Sequence, residues 1–164
     1  MPWTVPDQPT QARLIVKHNK AVTIADMTGA FNLCGRFEVL YPNGGEGLFA
    51  LQPTPVVWRT IGTIPLVDVY YSETPPYWAG SWTKINTAPI ANKFNSLLTP
   101  EQTTWSWEVA NSKTTQGRFR VQEAQYTNTF DATELMPAGR EQPADESDTA
   151  FAIRYYTVYW RSST

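Results

Sequence analysis

The sequence is poor in the residues that most often carry chemistry: one cysteine and one histidine in 164 positions. With Cys34 alone, no intrachain disulfide can form and no multi-cysteine metal site is available. A Ser or Cys nucleophile usually needs a His base. The single candidate, His18, lies in the turn His18-Asn19-Lys20, where an exposed turn residue is the ordinary case. Cys34 sits on the polar side of a core-like strand, two residues from Arg36. It reads as a small packing residue, because an activated thiolate needs a basic group beside it.

Charge is scarce as well. Asp, Glu, Lys and Arg make up 17%, with a net charge of −2, against about a quarter in typical soluble domains. Residues 1–12 hold no Lys or Arg, so no basic arm is present to neutralise phosphates. Nucleic acid is therefore not an expected partner. No apolar run reaches the roughly 20 residues of a membrane span, and no membrane insertion is expected. Met1-Pro2-Trp3-Thr4-Val5-Pro6-Asp7 has neither the basic nor the apolar region of a secretory signal. The expected location is a virion surface or the cytoplasm, with the chain used where it is made, released without a signal, or excised from a longer polypeptide.

What the sequence has is aromatic and turn-forming residues: seven Trp, eight Tyr, seven Phe and thirteen Pro. Many aromatics and threonines with few charges suit pleated sheets better than helices. Phe31 to Tyr41 shows the period-2 pattern of a half-buried strand, with Phe31, Leu33, Phe37, Val39 and Tyr41 on one face. It ends at Pro42-Asn43-Gly44-Gly45, a strong turn. Further strands are expected at Arg13–Lys17 and Ala21–Ala25 around the His18 turn. Leu48–Gln52 and Val56–Ile61 are expected to be split by Pro53 and Pro55. Ile64–Ser72 follows, then a weaker segment at Tyr77–Ile85. Thr103–Ala110 sets Trp105, Trp107 and Val109 against Ser106 and Glu108. Gly117–Phe130 is expected to bulge near Glu123-Ala124, and Ala150–Arg161 closes the series. The spacing of Ile90, Phe94, Leu97 and Leu98 predicts one short helix over 89–98.

These signals predict an all-β, antiparallel, jelly-roll-like two-sheet sandwich of nine or ten strands plus that helix, in a single domain spanning 1–164. Residues 1–11 read as a Pro-rich extended arm and 131–149 as an acidic loop. The overall pattern is similar to that of viral jelly-roll and protruding domains, a likeness of pattern and not of motif.

No catalytic residue is assigned. A glycosidase needs two carboxylates about 5–9 Å apart, and Glu38, Asp68, Glu108 and Glu123 all fall in predicted strands. Glu108, however, points away from Trp105 and Trp107 on the same strand. The acidic run Glu141 to Asp148 offers oxygen ligands but matches no calcium loop, so no metal or cofactor is expected. Asn43-Gly44-Gly45-Glu46-Gly47 lacks phosphate-loop spacing. Arg118 and Arg120 share a strand face and read as an ordinary polar surface.

The most distinctive segment is Thr74-Pro75-Pro76-Tyr77-Trp78-Ala79-Gly80-Ser81-Trp82. Prolines lower the entropy cost of ordering such a loop, and Tyr and Trp combine large area with a polar handle. Tyr77, Trp78 and Trp82 are the expected partner-binding residues, unless they fold back onto the sandwich. The expected function is a non-enzymatic structural or recognition module, such as a capsid protruding, spike or decoration domain. Its partners would be further copies of itself or other virion proteins. The alternative is a lectin-like module that stacks sugars of a glycan receptor on the aromatic loop, and a jelly-roll glycosidase ranks third.

Overall fold

A computed structural model describes residues 10–17, 25–29, 31–33, 35–77, 81–94, 100–124 and 143–156. Among these the regular structure is all β and contains no helix. The sequence-based readings of the 1–9 arm, His18, Cys34, Trp78 and most of the 131–149 loop lie outside the described residues.

The smaller of the two main sheets has the order β11-β7-β5: Glu101–Glu108, Pro53–Ile61 and Arg36–Tyr41. Burial alternates along β7 and β11, and along β5 as far as Val39. Thr54, Val56, Trp58 and Thr60 of β7 are buried, as are Phe37 and Val39 of β5 and Thr103 and Trp107 of β11. Side chains two apart share a face, so these residues form one inward layer. Pro53 and Pro55 lie inside β7, where a break was expected. They pair only with Glu108 and Ser106, because the β5 ladder stops at Val57. A strand stretch with a ladder on one side only tolerates a missing N–H donor.

The larger sheet has the order β10-β8-β12-β14-β6, with β9 beside β8 and β13 beside β12. These are Ile90–Ala91, Leu66–Ser72, Thr114–Glu123, Phe151–Arg154, Gly47–Phe49, Thr83–Lys84 and Ala144–Glu146. Its inward face carries Val67, Val69, Tyr71, Phe119, Val121, Phe151, Ile153 and Leu48, all buried in one cluster with the smaller sheet's layer. Tyr71 meets Trp107 across the two sheets at 5.0 Å between ring centroids. The sandwich is therefore as expected in class, although β14 and β6 pair in parallel where every pair was expected antiparallel.

The predicted helix at 89–98 is not what its described part forms. Ile90 and Ala91 instead pair with Val67 and Leu66 as β10. The reason is Asn92. Its Oδ1 accepts from Trp58 Nε1 (2.9 Å) and the Thr103 hydroxyl (2.9 Å), while its Nδ2 donates to Thr60 Oγ1 (3.0 Å) and the Ile64 carbonyl (2.8 Å). An amide that satisfies four buried polar groups holds its segment extended against the core. A second correction falls at the end of the predicted acidic loop. Residues 144–146 form β13, in register with Gln122, Val121 and Arg120. A register irregularity of β12 lies between Thr114 and Gly117; the bulge expected near Glu123-Ala124 falls where the described residues of this segment end.

The N-terminal strands form a separate ladder. β1 (Thr10–Ala12) pairs with β4 (Phe31–Leu33), and β2 (Ile15–Lys17) with β3 (Ala25–Met27). The two pairings are separate two-stranded sheets whose registers are offset by one residue. Thr28 bridges the irregularity: its N–H donates to the Leu14 carbonyl and its hydroxyl accepts from Leu14 N–H. Of the strand expected at Ala21–Ala25 only Ala25 is among the described residues, where it opens β3, and the strand expected to run unbroken from Phe31 to Tyr41 is two strands in different sheets. Gly35 marks the break, where a Cβ would stand 2.7 Å from Ile64 Cδ1.

Candidate functional site

Arg118, Arg120 and Gln122 of β12 pair with Ser72, Tyr70 and Asp68 of β8. Alternation places all six side chains on the outer face of the larger sheet, opposite Phe119 and Val121. The aromatic loop folds onto this face. The Arg118 guanidinium lies 4.9 Å from the Tyr77 ring centroid and that of Arg120 5.8 Å from Trp82. The Tyr77 and Trp82 rings are 6.1 Å apart and tilted by 42°.

Hydrogen bonds fix the loop. Tyr77 donates its hydroxyl proton to the Gln116 carbonyl at 2.7 Å, and Trp82 Nε1 donates to the Tyr77 carbonyl at 3.3 Å. The Thr114 hydroxyl donates to the Glu73 carbonyl at 2.9 Å. Each cation–π contact contributes about 0.5–1 kcal/mol at such half-exposed sites. Two of the three predicted binding residues are therefore brought together, and Trp78 lies outside the described residues. Sequence reasoning missed the arginines as members of this site. Their shared strand face was legible; that the loop returns over that face was not.

The arginines are themselves tied down. Arg118 Nη1 donates to the Ser147 carbonyl at 2.7 Å, and Arg120 pairs with Glu146 at 3.4 Å. The Nε of each is buried with no hydrogen-bond partner among the described residues, as when a guanidinium lies against rings and not in a polar fork. Arg118, Arg120 and residues 144–148 line an open cleft of about 520 Å³. Its acidic groups are occupied. Asp145 points inward and accepts from Val39 N–H of the other sheet at 2.6 Å, while Asp148 accepts from Asn43 Nδ2 at 2.8 Å. Ser147 Oγ donates to the Pro42 carbonyl at 2.7 Å. The acidic segment thus staples the two sheets along one edge. Burial raises the Asp145 pKa, assisted by the nearby Asp148 and Glu38 charges and opposed by its backbone hydrogen bonds.

Beside the platform, a recess of about 370 Å³ is lined by Ser72, Glu73, Thr74, Ser81, Thr83 and, at its inner end, Tyr71. Burial, the largest cause, pushes the Tyr71 pKa up to about 12, so its hydroxyl stays protonated at neutral pH. Tyr71 and Ser112 are close enough for the serine to moderate that shift, yet neither hydroxyl completes a hydrogen bond of good geometry.

The carboxylates weighed for glycoside hydrolysis do not converge. Glu38 aligns with Arg59 and Glu108 with Pro53 on β7, a separation of about 20 Å along the strand. Glu38 is ion-paired to Arg59 at 3.1 Å. Asp68 is buried on the outer side, held by Lys84 (2.8 Å) and Asn86 Nδ2 (2.8 Å). Glu123 pairs with Val67 and so points to the opposite side of the sheet from Asp68.

No protein-family model matches this chain, and no curated protein sequence matches it.

Proposed function

We propose that this chain is a non-enzymatic recognition and assembly module, a sandwich domain displayed on a particle or virion surface that acts through protein contacts. The observation that carries this reading is the Tyr77–Trp82 platform. Its large amphipathic side chains are half-exposed and already held by Arg118, Arg120 and the Gln116 carbonyl. Aromatic and Arg side chains are the chemistry of interface hot spots. A platform ordered in advance loses little entropy on contact.

A lectin-like reading has one specific observation behind it, the recess beside the rings, where Ser and Thr side chains share the lining with Ile85 and Ala110. Sedimentation velocity of the full chain over a concentration series, combined with a glycan array, separates the two. Assembly predicts a mass that grows with concentration and no retained glycan. A chain that stays monomeric and retains a glycan, with retention abolished by Trp82→Ala in a folded protein, replaces assembly with sugar binding.

A further inference from the structure

The ion pairs among the described residues engage Arg59, Lys84 and Arg120. Lys113 and Arg154 join none of them. Both are exposed, and both line an open groove of about 430 Å³ on the larger sheet. The groove lies beside the register irregularity between Thr114 and Gly117, where the β12–β14 ladder opens.

The register sets the two cations against each other. Thr114 pairs with Ile153, so one residue beyond that pair Lys113 stands opposite Arg154. Like charges directly opposite on an antiparallel pair destabilise it. The arginine turns away: its guanidinium carbon is 3.9 Å from where a Cβ on Gly47 would stand. Gly47 belongs to β6, which flanks β14 on the side away from β12. Ile153 is buried, so alternation points Ala152 outward between the two cations. The groove thus has a cation on each side and a small floor.

No carboxylate of the described residues lines it. Glu46, which precedes β6, accepts with its two carboxylate oxygens from the N–H groups of Asn43 and Gly44. Glu73, whose carbonyl accepts from the Thr114 hydroxyl, lines the recess beside the platform instead. The charge of Lys113 and Arg154 is therefore left for an anion from outside the chain.

The rest of the lining narrows the class of that anion. Tyr155 is 52% exposed and forms part of the wall, its hydroxyl leaning to the Asn111 carbonyl at 3.4 Å. An open aromatic face packs against the C–H side of a sugar ring as against other apolar surface. Exposed Thr115 adds a hydroxyl that both donates and accepts. An acidic peptide strand finds no edge to extend, because β14 is laddered on both sides by β12 and β6. A net charge of −2 disfavours the long phosphate track of a nucleic acid.

We propose that this groove binds an acidic sugar chain, with Lys113 and Arg154 on separate sulfate or carboxylate groups and Tyr155 against a sugar ring. The site is distinct from the Tyr77–Trp82 platform and does not depend on whether copies of the chain assemble.

The test is calorimetric titration of the full chain at about 0.15 M salt, where long-range attraction is screened. The probes are a sulfated heparin-derived oligosaccharide, an oligogalacturonate that carries carboxylates alone, neutral maltohexaose and an oligoglutamate peptide. At least one acidic sugar is expected to bind, and which one binds identifies the acidic group; maltohexaose and oligoglutamate are expected not to. Lys113→Gln and Arg154→Gln, both at exposed positions, are each expected to weaken binding about tenfold or more. Tyr155→Ala is expected to weaken it about threefold, and Trp82→Ala to leave it unchanged. Absence of binding by either acidic sugar overturns the proposal and leaves the assembly reading in place. Equal binding of oligoglutamate makes the groove a general anion site and removes the sugar. Binding that survives the Lys113→Gln, Arg154→Gln double variant lies elsewhere on the chain, and loss in Trp82→Ala alone moves it to the platform. Circular dichroism and thermal unfolding of each variant keep loss of binding apart from loss of fold.

Discussion

The junction at Asn92 and the N-terminal ribbon of β1 to β4 are built on the same antiparallel backbone, and they treat side chains in opposite ways. At the junction, Trp58, Thr60 and Thr103 are buried and their polar atoms meet one amide. On the ribbon, Leu14, Ile15, Val16 and Met27 stand in solvent on a ladder two strands wide. Strand pairing alone therefore does not distinguish a finished interior from an apolar surface left open to solvent. What distinguishes them is whether the side chains are already answered within the chain.

The contrast breaks first at Asn92. Asn92→Ala removes the acceptor of Trp58 Nε1 and of the Thr103 hydroxyl, and leaves the Ile64 carbonyl and Thr60 short of a donor. Unpaired buried groups cost roughly 1–3 kcal/mol each, and a shared network loses them together. The expected loss is about 3–5 kcal/mol in equilibrium urea unfolding. A loss below about 1 kcal/mol would mean that water or neighbouring groups replace the amide, and that the interior is less completely answered than its geometry indicates.

Asp145 is an intermediate case: buried enough to be perturbed, yet charged. Its pKa in the folded chain lies above the ordinary 3.8, chiefly through burial. Between 3.8 and the raised value the folded chain binds more protons than the unfolded one, so stability falls as pH rises through that window. The penalty is complete above the folded pKa and relieved on acidification. Asp145→Asn keeps an oxygen to accept from Val39 N–H and discards the charge. It is expected to unfold at equal or higher urea at pH 7, by no more than about 1 kcal/mol. Its stability curve should also be flatter across the acid window. A variant clearly weaker than wild type at pH 7 would show that the carboxylate's charge, and not its oxygen, holds the two sheets together there.

Period-2 alternation carried most of the sandwich in advance. Phe37 and Val39 are buried as read, and so are Trp107 and Val109, with Trp105 half-buried on the same side. These strands are legible because each is sorted by one core. The described part of the segment expected as a helix, 89–94, is not helical: Ile90 and Phe94 fit a helical spacing, but the decisive residue, Asn92, is polar. Its role is set by Trp58, Thr60 and Thr103, which are distant in sequence. β13 was unreadable for a similar reason. Ala144, Asp145 and Glu146 have poor strand propensity, and only the β12 ladder and Val39 N–H make them a strand. At the candidate site, Tyr77 and Trp82 stood out by composition. That Arg118 and Arg120 complete it follows from a loop return that no local pattern encodes.

The smallest expected effect on stability is the sharpest test of the contrast. Val16 is 65% exposed, so Val16→Asp creates no cavity and buries no charge in the isolated chain; its one direct cost is a solvent-screened repulsion with Asp26 across the ladder, about 0.5 kcal/mol or less. At low protein concentration its unfolding is expected to lie within about 0.5 kcal/mol of wild type, a shift of roughly 1–2 °C. If instead the variant loses 2 kcal/mol or more at low concentration, about the cost of disturbing a buried position, the ribbon lies on its own chain. The two regions would then differ only in degree.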